Sequence, residues 1–284
     1  MKDGPARQFA AAQIIGGRDR QEDDLAILDL SERDRDRVVF VIADGMGGHA
    51  GAADAARLAI RQFCESLKTG KGPLPVRLRP ALLHANAALA LAAMRDAQKK
   101  GAGCTLVAAA VEDGALSWIS VGDSPLYLFR QGVIRKLTTS HLATADSGTG
   151  RFARKSQVQV LRSALTGKEL VLIDSSPQPL PLLEDDCIII ASDGLDCIGH
   201  RKLQSILRHA ATFRPSQVVD RLLKAVRTRP VAAQDNTTII FYRVRHGNGK
   251  VAGHERRTSR RAGWLLLMLA SGMLLLAAAH WLLR

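Results

Sequence analysis

Three times along this 284-residue chain an apolar run stops at an aspartate. Val39-Phe40-Val41-Ile42-Ala43 runs into Asp44-Gly45, Trp118-Ile119-Ser120-Val121-Gly122 into Asp123-Ser124, and Ile188-Ile189-Ile190-Ala191-Ser192 into Asp193-Gly194. A strand buried on both faces that ends in a carboxylate delivers that carboxylate to the rim of a sheet. A following glycine lets the backbone turn tightly and leaves its carbonyl accessible. One such junction is ordinary turn chemistry. Three of them, together with Glu22-Asp23 before the second strand and Asp235-Asn236 before the last, describe five or six carboxylates gathered in one place. Carboxylates so gathered repel one another unless cations lie between them. With no Cys and no paired His among them the donors are all oxygen, which suits hard cations, Mg2+ or Mn2+.

The elements that must position these groups follow from the patterning. Val38–Ala43 and Cys187–Ala191 read as buried strands, and Thr237–Val244 as a final strand. Thr105–Val111 with Ala115–Val121, and Pro125–Arg130 with Val133–Leu137, read as hairpins across Glu112-Asp113-Gly114 and Gln131-Gly132. His49–Leu67 and Pro80–Gln98 are Ala-rich and long enough for helices. Pro215 opens another, with Val218, Val219, Leu222, Leu223 and Val226 on one face. Thr138–Arg162 is polar and poor in periodicity, so it reads as a mobile insertion outside the core. Hairpin-linked strands with clustered helices predict packed antiparallel sheets with helices outside, an α/β (α+β) arrangement rather than a βαβ array.

Several strings carry a more specific likeness. Arg18-Asp19-Arg20-Gln21-Glu22-Asp23, Asp44-Gly45-Met46-Gly47-Gly48-His49, Gly103-Cys104-Thr105-Leu106, Gly122-Asp123-Ser124, Ser192-Asp193-Gly194-Leu195 and Asp235-Asn236-Thr237-Thr238 stand in a fixed order. In order and approximate spacing they resemble the motifs of metal-dependent type-2C protein serine/threonine phosphatases, over about residues 9–244. The Asp44–His49 string is similar to the bacterial branch. The resemblance implies an α/β/β/α sandwich of two antiparallel sheets flanked by helices, with a two-metal cleft at one edge. It also implies hydrolysis of phosphoserine and phosphothreonine by a metal-activated water, counteracting Ser/Thr kinase signalling, with no covalent phosphoenzyme.

Carried over by position, Asp44 would bridge both metals and the Gly45 carbonyl would bind one of them. Glu22 would serve that metal directly or through water, with Asp23 behind it. Asp193 and Asp235 would complete the other, and Asp123 would hold a third, weaker position. Arg18, four residues before Glu22, corresponds to the phosphate clamp, where a planar donor fork matches two phosphate oxygens. For protonation of the leaving group the resemblance leaves two donors open. Eukaryotic relatives carry His at the position of Met46; here the nearest imidazole is His49, three residues on, and water on a metal is the alternative. One departure stands out: Leu137-Thr138-Thr139-Ser140-His141 matches a Leu-Thr-x-Asp-His stretch with Ser140 in place of Asp. The flap-like insertion it opens, about 138–165, is also shorter than is usual.

The remaining signals concern location. The formal net charge is +13, and His246–Arg284 holds six Lys/Arg and one Glu, leaving +8 spread over the first 245 residues. Those basic residues form no aromatic-interleaved cluster, so no nucleic-acid partner is expected. Ala262–Leu283 contains no Lys, Arg, Asp or Glu, and its 22 residues would reach about 33 Å as a helix, enough to span a bilayer. Trp264 and Trp281 lie near its ends, and Arg256, Arg257, Arg260 and Arg261 precede it. This pattern predicts a single C-terminal transmembrane helix, 262–283, behind a basic linker, 246–261. Residues 1–245 would then lie on the cytoplasmic side, at a bacterial inner membrane. Phe9–Ile15 is too short for a secretory signal. Cys64, Cys104, Cys187 and Cys197 show no metal spacing and read as reduced, packed thiols. Phosphorylated Ser/Thr proteins and a cognate kinase are the expected partners. A non-catalytic phosphoprotein-binding module on the same fold is the alternative reading.

Overall fold

Alternation along strands buried on both sides decides the layering of this protein. The computed structural model describes residues 8–32, 35–47, 51–147, 156–229 and 234–245. The chain divides into two units, Met1–Arg245 and His246–Arg284. In chain order the first unit holds β1 (Phe9–Ile14), β2 (Asp23–Asp29), β3 (Arg37–Met46), α1 (Gly51–Thr69), α2 (Leu74–Arg95), β4 (Gly103–Cys104), β5 (Leu106–Glu112) and β6 (Ala115–Val121). There follow β7 (Leu126–Arg130), β8 (Val133–Lys136), β9 (Leu142–Ser147), β10 (Ser156–Leu161), β11 (Asp174–Ser175), β12 (Leu180–Pro181) and β13 (Cys187–Ala191). The last elements are α3 (Gly199–Leu207), α4 (Pro215–Arg227) and β14 (Thr237–Arg243).

Two antiparallel sheets result. One runs β1-β14-β13-β7-β8; the other runs β11-β6-β5-β3-β2, with β12 beside β6 and β4 beside β3. On β3, Val39, Val41 and Ala43 pack toward α1 and α2, while Phe40 and Ile42 point between the sheets. On β13, Ile189 and Ala191 pack toward α3 and α4, while Ile188 and Ile190 meet the other sheet. The period of two thus sorts each strand's side chains into a helix-facing and a sheet-facing core. The outcome is the expected α/β/β/α sandwich, with its strands running as near-continuous apolar runs because both faces are covered.

Two expectations need correction. Helix α2 begins at Leu74, six residues before the expected start, and Pro80 lies inside it. Pro75 occupies the first turn, where a missing N–H is harmless, and burial of Leu74, Leu78 and Leu82 carries the helix through Pro80, whose ring faces outward. The expected insertion contains an antiparallel pair, β9 with β10, separate from both main sheets. The alternation Gln157-Val158-Gln159-Val160 was its period-two signal. The linker 246–261 and the apolar segment 262–283 lie outside the described residues. Among the described residues no helix is long and apolar enough to cross a membrane.

Phe40 is fully buried between the sheets, its ring 5.7 Å from that of Phe9 and 5.2 Å from that of Tyr242. Phe40→Ala should therefore destabilise the domain by about 3–5 kcal/mol. Urea unfolding would show this as a lowered midpoint at unchanged slope; a loss below about 1 kcal/mol would mean the sheets close over the gap.

Candidate active site

The strand ends that carry the carboxylates all arrive at one edge of the sandwich. The β2–β3 register sets Asp23 directly opposite Asp44. The turn after β6 presents Asp123, the turn after β13 presents Asp193, and Asp235 lies two residues before β14, whose Ile239 pairs with Ala191. Asp23, Asp44 and Asp123 thus come from one sheet, and Asp193 and Asp235 from the other.

Their electrostatics reflect this convergence. Burial, then the charges of Asp23, Asp193, Asp235 and Asp123, push the Asp44 carboxyl up to about 10. Burial and the neighbouring Asp123, Asp235 and Asp23 raise Asp193 to about 7. Burial also raises Asp123. Asp23 is raised by burial against the opposing pull of two hydroxyls, Thr238 Oγ1 at 2.7 Å and Ser192 Oγ at 2.8 Å, which both donate to its Oδ2. Its Oδ1 is buried without a partner, as is Asp193 Oδ1. Buried, unpartnered carboxylate oxygens among like charges want a positive charge that the protein does not supply. The donor set therefore fits hard divalent cations. As placed, among the described residues no three His, Cys, Asp or Glu side chains already close around one point.

The backbone around these groups is pinned tightly. A Cβ on Gly45 would lie 2.6 Å from the carbonyl oxygens of both Ala52 and Glu22, so only glycine fits there, and the Gly45 N–H donates to Glu22 O at 3.1 Å. Glu22 N–H donates to Asn236 Oδ1 at 2.8 Å, while Asn236 Nδ2 donates to the carbonyls of Ile15 (2.7 Å) and Arg20 (3.0 Å). One amide thus spans the whole Arg18–Glu22 loop. Thr105 is a second clamp. Its Oγ1 accepts from Asp44 N–H at 3.1 Å and lies 2.7 Å from Ser124 Oγ, and its own N–H donates to Asp44 O at 2.8 Å. His141 is a third. Its Nδ1 accepts from Gly122 N–H at 3.1 Å, and its N–H donates to Gly122 O at 3.0 Å.

The expected residues are thus placed unevenly. Asp23, Asp44, Asp123, Asp193 and Asp235 share one edge, with Glu22 and Gly45 beside them. Arg18, expected on a substrate phosphate, bonds Asp235 Oδ2 at 2.5 Å, and both side chains are well exposed. An exposed pair of this kind contributes little and opens readily. His49 lies outside the described residues. Asn236, Thr105, Ser124, Ser192, Thr238 and His141 received no role from sequence, although five of them fall inside the quoted motifs and His141 closes the Leu137–His141 stretch. The four cysteines are free thiols, and burial pushes each of them up, so none is poised as a nucleophile.

Several solved chains, among them bacterial serine/threonine phosphatases, share this fold. PppA of Pseudomonas aeruginosa, described as a key regulatory component of its T6SS, superposes with a TM-score of 0.62 at 27% identity, over 83% of this chain and 97% of that one. The catalytic domain of the phosphatase PstP in complex with two manganese ions shares the fold, with a TM-score of 0.63 at 24% identity over 84% of this chain and 98% of that one. In sequence, this chain is 26% identical over 215 residues to the serine/threonine phosphatase stp of Listeria monocytogenes, covering 72% of this chain and 83% of that protein. Residues 15–235 match Protein phosphatase 2C, and this chain belongs to that family of serine/threonine protein phosphatases.

A pH dependence follows from the raised carboxyls. Folded, Asp193 titrates near 7 against an ordinary value of 3.8, so the native state holds a proton that the unfolded chain has lost. Its stabilising share is full below about pH 4 and disappears as pH rises through about 7. For cation-free protein, Asp193→Asn should thus raise the melting temperature at pH 8 by several degrees, equivalent to about 1–2 kcal/mol. Added Mn2+ should stabilise the wild type more than this variant, which lacks one of the carboxylates assigned to a cation. Differential scanning fluorimetry in chelator, then in Mn2+, reads both; a variant less stable than wild type in chelator refutes the assignment.

Proposed function

We propose that this chain hydrolyses phosphoserine and phosphothreonine in partner proteins at the carboxylate edge, using two divalent cations, Mn2+ or Mg2+. The observation that carries this reading is the set of five aspartates converging on one edge, where Asp23 and Asp193 each bury an unpartnered oxygen and the carboxyls of Asp23, Asp44, Asp123 and Asp193 are raised. Asp44, the Gly45 carbonyl and Glu22 are assigned to one cation, with Asp23 behind them. Asp44, Asp193 and Asp235 are assigned to the other, and Asp123 to a third, weaker position. Bound there, the cations would neutralise the phosphate dianion and make water a stronger nucleophile.

The chain's own residues orient the reaction. Asp44 sits at the centre of the group, fixed through its backbone by Thr105 and faced by Asp23. Ser192 and Thr238 hold Asp23 from the opposite sheet. Arg18, once released from Asp235, offers its guanidinium fork to two phosphoryl oxygens. Asn236 sets where that arginine's loop lies, through Ile15, Arg20 and Glu22. His49 is retained as the candidate proton donor to the leaving hydroxyl. The non-catalytic alternative has no missing carboxylate behind it, because every assigned position is filled.

The expected partners are phosphorylated proteins and a Ser/Thr kinase whose action the enzyme reverses. For location, the uncharged 262–283 segment and the arginines before it support a C-terminal anchor with the catalytic unit on the cytoplasmic face.

On a phosphothreonine peptide, hydrolysis should require Mn2+ or Mg2+ and cease in chelator. Asp44→Asn should lower kcat by about a thousandfold or more. Arg18→Ala should raise KM about tenfold, and Arg18→Lys should not restore it. Full activity of Asp44→Asn, or activity in chelator, would overturn the reading. In cells, the full chain should resist alkaline carbonate extraction and deletion of 262–283 should release it; ready extraction of the full chain refutes the anchor.

A further inference from the structure

Helix α2 carries more apolar surface than the core uses. Its inward side, including Leu74, Leu78, Leu82 and Leu89, is buried against α1 and the adjoining sheet. On the outward side Val76, Pro80, Leu83, Ala87, Leu91 and Met94 recur at steps of three and four residues, which lines them along one side of the helix for about 27 Å. All six are exposed, with Val76 at 65%, Leu83 at 45%, Leu91 at 54% and Met94 at 82% of their full surface. A helix on a soluble domain normally shows polar residues there.

The helix itself carries charges of one sign, while the exposed acids near it, Glu65 and Glu169, belong to neighbouring segments. Leu74–Arg95 contains no Asp or Glu. By helical spacing, Arg79 borders the ridge on one side and His84 and Arg95 on the other, all three exposed. An apolar ridge between cationic margins is what a helix lying in the plane of an anionic bilayer presents: the ridge enters the headgroup boundary and the long basic side chains reach the phosphates.

The path of the chain agrees. β14 starts beside the carboxylates and runs to the opposite end of the sandwich, where Arg245 pairs with Glu184 at 3.1 Å and Asp185 at 2.8 Å. Helix α2 starts at that same end, its Leu74 N–H donating to Glu112 Oε2 at 2.8 Å, and Glu112 bonds Arg37 at the start of β3. Arg245, the last described residue, therefore lies at the end where α2 begins, away from the site, and the uncharged 262–283 segment follows it in sequence.

We propose that the Val76–Met94 face of α2 is a membrane-docking surface that lies on an anionic bilayer and holds the carboxylate edge beside it. The bilayer's presence rests on the anchor reading above; the surface itself rests on α2. Docking would confine hydrolysis to phosphoproteins at the membrane.

The test uses residues 1–245, which contain all three cores and match solved phosphatase chains almost end to end. The probes are vesicles of phosphatidylcholine with and without about a quarter phosphatidylglycerol, at about 0.1 M salt. The domain should co-sediment with the anionic vesicles about tenfold more strongly than with the neutral ones. The triple variant Leu83→Glu/Leu91→Glu/Met94→Glu should lose that binding by about tenfold or more while still hydrolysing a soluble phosphopeptide at close to the wild-type rate. Equal sedimentation of wild type and variant overturns the proposal. So does a wild type that ignores vesicles but dimerises through this face, or one that ignores them while the full chain stays in the membrane. Docking of the domain alongside an extractable full chain would refute the anchor and leave the docking surface standing.

Discussion

Asp23 and Asp44 face each other across neighbouring strands of a buried sheet, an arrangement that costs stability in any protein without a counter-charge. Much of the surrounding structure serves to keep that unfavourable pair in place. Two hydroxyls solvate one oxygen of Asp23, a threonine holds the backbone of Asp44, and burial, with the mutual repulsion added to it, drives the Asp44 carboxyl far above its ordinary range. The stabilising side lies elsewhere, in three apolar cores that contain none of the site's charged groups. A fold that strains one edge needs this separation, because the cores then fix the strands whatever the carboxylates prefer. It is also what makes a cation a folding ligand as well as a cofactor here.

The site is divided between the two sheets, and that gives the packing between them a functional consequence. Asp44 and Asp123 ride on one sheet, Asp193 and Asp235 on the other, so the separation of the two groups is set by how Phe40, Ile42, Ile188, Ile190 and Ile240 mesh. Polar bonds crossing between the sheets near the edge reinforce the setting: Ser192 and Thr238 reach Asp23, and Asn236 reaches Glu22 N–H. A residue far from any phosphate can thereby change how well two cations are spaced. Gly45 shows the limit of tolerance, since even one added carbon meets two carbonyl oxygens.

Sequence made the carboxylates visible because each stands at the end of a long apolar run, and a strand covered on both faces leaves such runs behind. The same logic exposed the two-sheet layering. What it left unseen was the support. Asn236, Ser192 and Thr238 act on partners more than 160 residues away, and nothing in a lone Ser or Thr distinguishes a clamp from a solvated surface group. The ion pair between Arg18 and Asp235 was also invisible, because its two exposed side chains come from opposite ends of the domain's sequence and no local pattern links them. Helix α2 was misjudged at its start because Pro80 resembles an N-terminal residue, and tertiary burial of the preceding leucines outweighs that local preference.

The net charge of +13 gains meaning from this division of the molecule. At the site the clustered carboxylates predominate, so the edge attracts cations before it can receive an anionic substrate. A phosphate dianion approaching without them would meet only like charge. The basic residues therefore cannot be the first determinant of phosphate binding at this edge; the role proposed for Arg18 would be that of a local clamp, effective once cations had reversed the field. Elsewhere the positive excess has a different role, concentrated where the chain leaves the domain and along a helix free of acids. Opposite signs at separate places let one small domain concentrate cations at its cleft without losing attraction for an anionic surface along its side.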